Sequence, residues 1–481
     1  MTDMKQYAHR LILPLLIILV SCKKDFMNTP PGDKAVTTEY INSLAACDEL
    51  LNGVYLKLSN PFYTGLNNIV YAEVISDNAK PKTGASQLNA PYLWSMTTSM
   101  SVSTSNSGLE MNSTWASGYA VLRQLAYVLE NVDKYRSEDT KKADNIKAQA
   151  LAIRALVHYQ LVNVFAQPYF FTPDASHPGI PYVIASDYSL AIKRSSVADV
   201  YKNMIADLND AIPLFAGENK KVVMNKNAAR ALLSRLYLFK RDYVDAVGLS
   251  LQVLAEVPLM MNTTSLPTNY PHNLFTDNES EALFQLTPLA IGINASVSTS
   301  YAGYYFNSTN PIFYATADVA DLLAEYAQDL RNEWVKKSGD NWIITKFPKG
   351  VVAGFSDPSK SHYQTLLRSS EMCLTAAECY CSLNKEDSAR YYLNLIRERV
   401  GVPIVNATGV ALTDSIAKER RKELCFEGIR MYDLLRAGKS IYRKDATNPL
   451  AVTLPYPSNK AIAPLPLTET QLNGLEQNVG Y

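Results

Sequence analysis

The sequence predicts a mainly α-helical protein built from stacked helix pairs, and three features carry that expectation. Apolar residues recur every three or four positions along most of the chain, which is the spacing of one helix face. Two stretches join such helices across a short polar turn, in units of roughly 30–35 residues, the length of a tetratricopeptide repeat. Between the helical blocks lie long polar and aromatic stretches, about 60–112, 166–195, 257–315 and 338–365. Loops of that length usually serve a function. The expected architecture is therefore mainly α, with stacked tetratricopeptide-like helix pairs, long irregular loops that carry a recognition surface, and a few short strands.

The N-terminus stands apart. Lys5 and Arg10 precede an apolar run from Leu11 to Val20, with Pro14 inside it. That run is too short to span a bilayer, and residues 1–21 read as an export signal. The run ends in Leu19-Val20-Ser21-Cys22, which looks like a bacterial lipobox. Cys22 is accordingly the expected lipidation site; the alternative is a plain secretory signal with a chance cysteine. Lipid chains hold through about 0.8 kcal/mol per buried CH₂, so the expectation is a chain tethered to a membrane surface. Residues 22–36 form a polar, Pro-containing tether, and 37–481 are expected to be one domain.

The helices follow in order. Ile41, Leu44, Cys47, Leu51, Val54 and Leu58 mark the first, over about 38–58. Trp115, Tyr119, Leu122, Ala126, Leu129 and Val132 mark 113–135. Ile146, Ala150, Ile153, Val157 and Val164 mark 145–165. Ser196-Val197-Ala198-Asp199 is a weak capping box opening 196–212. Helices over 227–239 and 242–256 turn at Lys240-Arg241-Asp242, and 366–382 and 387–400 turn at Asn384-Lys385-Glu386-Asp387. Glu281 to Leu286 reads as a short strand.

Composition excludes several classes. Of 481 residues 47% are apolar and 19% charged, a globular balance rather than a disordered one. Lys+Arg and Asp+Glu are equal at 46 each, so nothing favours nucleic acid as a partner. Besides Cys22 there are five cysteines; an odd number cannot all pair, and Cys373, Cys379 and Cys381 lack zinc spacing, so they read as small core residues. The five histidines form no close pair or HExxH, and neither metal nor cofactor is expected. Gly438-Lys439-Ser440 resembles the end of a phosphate loop, but the position that needs the first glycine is Asp433.

Glu423 and Glu427 suggest the carboxylate pair of a glycosidase. On one helix face, however, they could not flank a sugar from opposing walls. Arg420, Arg430 and Arg436 interleave with Glu423, Glu427 and Asp433 at helical spacing, so structural ion pairs are the expectation.

The stretch from Glu419-Arg420 through Glu423-Leu424-Cys425-Phe426-Glu427-Gly428-Ile429-Arg430 to Asp433-Leu434-Leu435-Arg436 closely resembles the signature of the SusD/RagB family. The ending Ile462-Ala463-Pro464-Leu465-Pro466 … Gln477-Asn478-Val479-Gly480-Tyr481 is similar to that family's tail, with Val479 where Pro is frequent; the signature region spans 415–481. Ala148-Gln149-Ala150 … Arg154-Ala155 … Tyr159, Arg368 … Glu371-Met372-Cys373-Leu374, and the lipobox followed by Lys-Lys-Asp-Phe also match. The resemblance implies a non-enzymatic outer-membrane lipoprotein at the cell surface, built from four tetratricopeptide-like helix pairs with long, irregular ligand-binding loops. Such a protein binds glycan and delivers it to a SusC-like TonB-dependent transporter.

Three other readings compete: the same scaffold binding peptides, a surface glycosidase, and a purely structural scaffold. Thirty Tyr against 14 Phe and 4 Trp fit a binding surface, since Tyr joins an apolar ring to a polar tip. Rings on the long inter-helix stretches are the candidate ligand contacts: Tyr92 and Trp94 in one, and Tyr301, Tyr304, Tyr305 and Tyr314 in another. The resemblance implies that loops in these two regions supply aromatic contacts. Trp115 is excluded because it sits on a helical core stripe.

Overall fold

The structure is a computed structural model that describes residues 40–60, 63–64, 67–98, 111–187, 193–261, 281–286, 311–347 and 364–481. The expected signal and tether, Cys22, Tyr301, Tyr304 and Tyr305 lie outside the described residues. The first half contains α1 (Leu44–Leu58), α2 (Asn67–Val74), β1 (Ala79–Pro81), α3 (Asn89–Tyr92), α4 (Met111–Asn131), α5 (Thr140–Phe165), α6 (Val197–Ala211), α7 (Lys226–Phe239) and α8 (Tyr243–Glu256). Next come β2 (Ala282–Leu286), β3 (Phe313–Ala315), α9 (Ala317–Leu323), β4 (Val335–Ser338), β5 (Asn341–Ile344) and β6 (Gln364–Arg368). The chain closes with α10 (Ser369–Ser382), α11 (Glu386–Arg399), α12 (Gly409–Leu424), α13 (Arg430–Arg436), β7 (Ile441–Tyr442), β8 (Thr453–Leu454) and α14 (Leu467–Gln471).

The long helices start where a side chain caps them. Ser43, Asp139, Ser196 and Asn225 each accept the backbone N–H three residues on, at 3.0–3.2 Å, which satisfies one orphan donor of the first turn. Four helices reverse at their C-termini through a left-handed residue. After α7, Arg241 N–H donates to Leu238 O and Asp242 N–H to Tyr237 O, with Arg241 at φ 61°. Asn384 (φ 58°) repeats this pattern after α10, Gly401 (φ 79°) after α11 and Gly438 (φ 65°) after α13. These are Schellman turns, so Gly438-Lys439-Ser440 ends a helix and binds no phosphate as a loop.

Stacking follows from the stripes. α1 packs on α4, α5 on α6, α7 on α8 and α10 on α11. α4 also meets α5, α6 meets α7, and α8 meets α10, so each pair buries the face that its neighbour leaves open, as in a solenoid. The α4–α5 crossing is close at Gly118, where a Cβ would stand 2.9 Å from Leu161 Cδ2. One apolar core runs continuously from Ile41 to Leu475. Cys47, Cys379 and Cys425 are buried and unpaired within it, Cys373 is buried and unpaired in a smaller cluster with Leu374, Ile396, Leu424 and Ile429, and Cys381 is half-buried. Burial pushes the Cys379 and Cys425 thiols up to about 12, so they are inert packing groups.

Two expectations change. The stretch 60–112 is not simply irregular, because it contains α2, whose eight residues are all buried. The charged helix expected through 419–436 is broken: α12 stops at Leu424, and Phe426 (φ 68°) and Gly428 (φ 80°) take left-handed backbone. Short strands form an antiparallel sheet in the order β1-β3-β5-β4 and two antiparallel two-stranded pairs, β2–β6 and β7–β8. No described helix is long and apolar enough to cross a membrane.

Candidate functional site

Tyr92 and Trp94, two of the expected ligand rings, lie at 9% and 6% exposure. Their faces are taken. The Arg443 guanidinium sits 4.2 Å from the Tyr92 ring centre and 4.1 Å from that of Trp94. Arg443 meanwhile donates to the carbonyls of Val74, Ile75 and Ser76 at the C-terminus of α2, and to those of Tyr92 and Ala451. A cation at a helix C-terminus satisfies orphan carbonyls and the helix dipole together. Burial lowers its pKa to about 10, which leaves it charged at neutral pH. Trp94 Nε1 donates to Ile75 O at 3.0 Å. Trp94 and Tyr92 are therefore packing residues around a buried cation, and the expectation that they stack on ligand is corrected.

Tyr314 behaves differently. It stands on β3 opposite Lys80 of β1, half-buried on the sheet face away from the core. Lys80 is held by Asp445 at 2.8 Å. Trp115 packs edge-on against Phe165 at 5.0 Å and is 4% exposed, as the core stripe requires.

Glu423 and Glu427 occupy a buried ion-pair network, but not with the partners that helical spacing suggests. Glu423 accepts from Arg368 Nη1 at 2.8 Å, Arg399 Nη2 at 2.7 Å and Arg331 Nη1 at 3.2 Å. Glu427 accepts from Lys346 Nζ at 2.6 Å and from Arg368 Nε and Nη2 at 2.8 and 2.7 Å. Glu281 binds Arg399, and Glu419 bridges Arg331 and Arg397. Burial alone would raise the Glu423 carboxyl, but Arg399, Arg368 and Arg331 outweigh it and hold the group well below the carboxylate range. A carboxylate so engaged neither donates a proton nor attacks a sugar. Arg420 and Arg436 bind Asp433, Arg436 also binds Glu378, and Arg430 forks onto Asp77.

The turn between α12 and α13 is shaped by the same region. Glu73 of α2 accepts from Phe426 N–H at 2.9 Å and Gly428 N–H at 2.8 Å. A Cβ on Gly428 would fall 2.6 Å from Ile69 Cα, so only glycine lets the turn close on α2. The C-terminal tail is clasped in a similar way. Asn478 donates to Phe165 O and Ala463 O and accepts from Arg194, and Tyr481 donates to Ile462 O.

His158 is locked neutral. Its Nδ1 lies 2.8 Å from Arg154 O, its Nε2 accepts Val183 N–H, and burial lowers its pKa to about 3. Among the described residues no group of three or more His, Cys, Asp or Glu is placed to hold a metal ion.

Sequence reasoning missed an aromatic cleft. Tyr169, Phe170, Tyr201, Phe239, Tyr432 and Tyr456 surround it, with Asn163 and Arg436. The signal was present in Pro168-Tyr169-Phe170-Phe171, a run of rings in a polar inter-helix stretch, the criterion applied elsewhere.

Comparison with known proteins accounts for these features together. Residues 25–238 match the family described as starch-binding and associating with the outer membrane, and residues 321–481 match the SusD family. SusD-like protein P2 of Formosa agariphila is 24% identical, over 99% of this chain and 100% of that one. A SusD superfamily structure from Bacteroides thetaiotaomicron is 25% identical and superposes with a TM-score of 0.79 over 91% of this chain and all of its own. A laminarin-binding SusD-like protein, 20% identical, shares the fold with a TM-score of 0.70 over 91% of this chain and 99% of its own. The two family matches lie in both halves of the chain, relatives and solved structures of the same family span nearly all of it, and the chain belongs to the SusD/RagB family.

Proposed function

We propose that this protein is a cell-surface lipoprotein that captures an oligo- or polysaccharide and passes it to a SusC-like TonB-dependent transporter in the outer membrane. The observation that carries the reading is the pair of family matches, one of them described as starch-binding and outer-membrane associating. Anchoring through Cys22 and outward orientation belong to the same proposal. Binding without catalysis is supported by Glu423 and Glu427, whose oxygens are already occupied by buried cations.

The ligand contacts proposed are Tyr301, Tyr304, Tyr305 and Tyr314. An aromatic ring covers the C–H face of a sugar. About 100 Å² of apolar face at about 25 cal/mol per Å² contributes at most about 2–3 kcal/mol per ring, and association entropy takes back a large share. Two or three rings then give the modest affinity that suits capture followed by release. The test is calorimetry against a glycan panel, with Tyr304→Ala and Trp94→Ala beside the wild type. Tyr304→Ala should lose at least tenfold in affinity, while Trp94→Ala should lose stability. A panel without binding, or binding to peptides only, overturns the glycan reading.

A further inference from the structure

The dipeptide Asn-Gly occurs twice, at Asn52-Gly53 and Asn473-Gly474, and the fold treats the two in opposite ways. In this dipeptide the glycine nitrogen can close a five-membered ring on the asparagine Cγ, and no Cβ obstructs the approach. Asparagine is a thermolabile residue, but the ring closes only where the backbone is free to turn.

Asn52-Gly53 lies inside α1. There the Gly53 N–H belongs to the helical hydrogen-bond ladder. A Cβ on Gly53 would stand 2.5 Å from Gln124 Nε2 of α4, and Gln124 itself donates to Leu50 O at 2.6 Å. This turn of helix is tied down on both counts. Asn473-Gly474 follows α14, and both residues are exposed. Gly474 takes left-handed backbone at φ 67°, with open space where a Cβ would be. Among the described residues its N–H has no acceptor. The Asn473 side chain makes one hydrogen bond, from Nδ2 to Glu469 Oε2 at 2.7 Å. That bond lies at the surface, where exchange with water leaves it little net strength.

The exposed turn is also a junction. Leu475 N–H donates to Glu469 O at 3.0 Å and seats Leu475 in the core. The clasp on the tail starts at the next residue: Arg194 donates to Glu476 O at 2.9 Å, and the Gln477 amide bonds Leu465 N–H and Leu465 O.

We propose that Asn473 is a site of spontaneous deamidation, and that the product loosens the turn that seats the C-terminal tail. Gly474 N gives its proton to solvent base and attacks Asn473 Cγ. The new C–N bond forms, the bond to Nδ2 breaks, and ammonia leaves with a proton returned by solvent. Water then opens either carbonyl of the succinimide, leaving aspartate or isoaspartate; overall one water enters and one ammonia departs. Both products lack the N–H that reaches Glu469, and both set a second carboxylate four residues from it, a spacing at which like charges repel. Isoaspartate also adds one carbon to the main chain just before the clasp.

The test warms the detergent-solubilised full chain in mildly alkaline buffer and follows conversion of amide to acid at both sites by peptide mass spectrometry. Isoaspartate is read by isoaspartyl methyltransferase labelling. Asn473 should convert at least tenfold faster than Asn52 in the folded chain, and at a similar rate to it in urea, where the fold no longer separates them. Gly474→Ala should slow conversion at least fivefold, and Asn473→Gln should remove the isoaspartate label from the C-terminal peptide. Equal rates at the two sites in the folded chain, or an intact Asn473 over a period in which the urea-unfolded chain converts, overturns the site. Amide exchange over 475–478 should be at least threefold faster in aged wild type than in Asn473→Gln aged alongside it. Equal protection in the two, with Asn473 converted, overturns the loosening.

Discussion

Glu423→Gln removes one negative charge and almost no volume from the centre of the ion-pair network. The side chain is fully buried and faces three guanidiniums, those of Arg331, Arg368 and Arg399. Each keeps another partner: Arg331 has Asp329 and Glu419, Arg368 has Glu427, and Arg399 has Glu281. No cation is therefore left wholly alone, but the amide turns an N–H toward at least one of them. Breaking one partner of a buried pair costs about 3–5 kcal/mol, a large part of the 5–15 kcal/mol that typically separates folded from unfolded. Urea unfolding followed by circular dichroism should show a lower midpoint with an unchanged slope. A loss below about 1 kcal/mol would refute the view that this carboxylate organises the core. Hydrolytic activity in the wild type that disappears in a folded Glu423→Gln variant would refute the structural assignment itself.

Three further outcomes are expected. Burial pushes Asp77 up, but Arg430 and Arg421 outweigh it and hold its pKa at about 2 against 3.8. Its folded value is depressed, so about 2 kcal/mol of stability is present above the unfolded pKa and is lost as pH falls from about 4 to 2; urea midpoints across that range check it, and Asp77→Asn should flatten the slope. Gly428→Ala places a Cβ 2.6 Å from Ile69 Cα at φ 80°, so it should cost more than about 1 kcal/mol, measured by thermal unfolding, whereas alanine at open Gly84 should cost less. Metabolic labelling with a tagged fatty acid should mark the wild-type protein and not Cys22→Ala; equal label in both defeats the anchor.

Helices were legible where one face is buried and the other wet. The stripe Val197, Val200, Tyr201, Met204, Leu208 and Ala211 is buried as its spacing implies, and Ser196 caps it. α2 was illegible because Asn67 to Val74 are buried on every side, so no polar face exists to set a period. Trp94 misled because its local sequence is polar, while the cation that claims its ring arrives from Arg443, near the other end of the chain. Glu423 and Glu427 were legible as structural but not in their partners. Spacing reports neighbours on a helix, and this helix ends between them. The family signature was readable as a pattern; its reason, a glycine turn closing on Ile69, is a tertiary contact.

The placement of the network suggests what its directional bonds accomplish. Glu281 opens the stem of β2, Lys346 follows β5, and Arg368 ends β6, so the network's members flank the stretches 262–280 and 348–363. An apolar cluster of equal volume could be as stable, but it would fix the stems less specifically than forked hydrogen bonds do. The hypothesis is that Glu427 holds loop stems in register, since it ties Lys346 and Arg368 together across the corner turn. Loops that bind ligand work best on a rigid base. In Glu427→Gln, amide exchange by mass spectrometry should speed at least tenfold over 344–347 and 364–368, while α5 and α7 keep their protection. Faster exchange spread evenly over all helices would mean that Glu427 supplies general stability, and unchanged exchange at the stems would mean that it supplies neither.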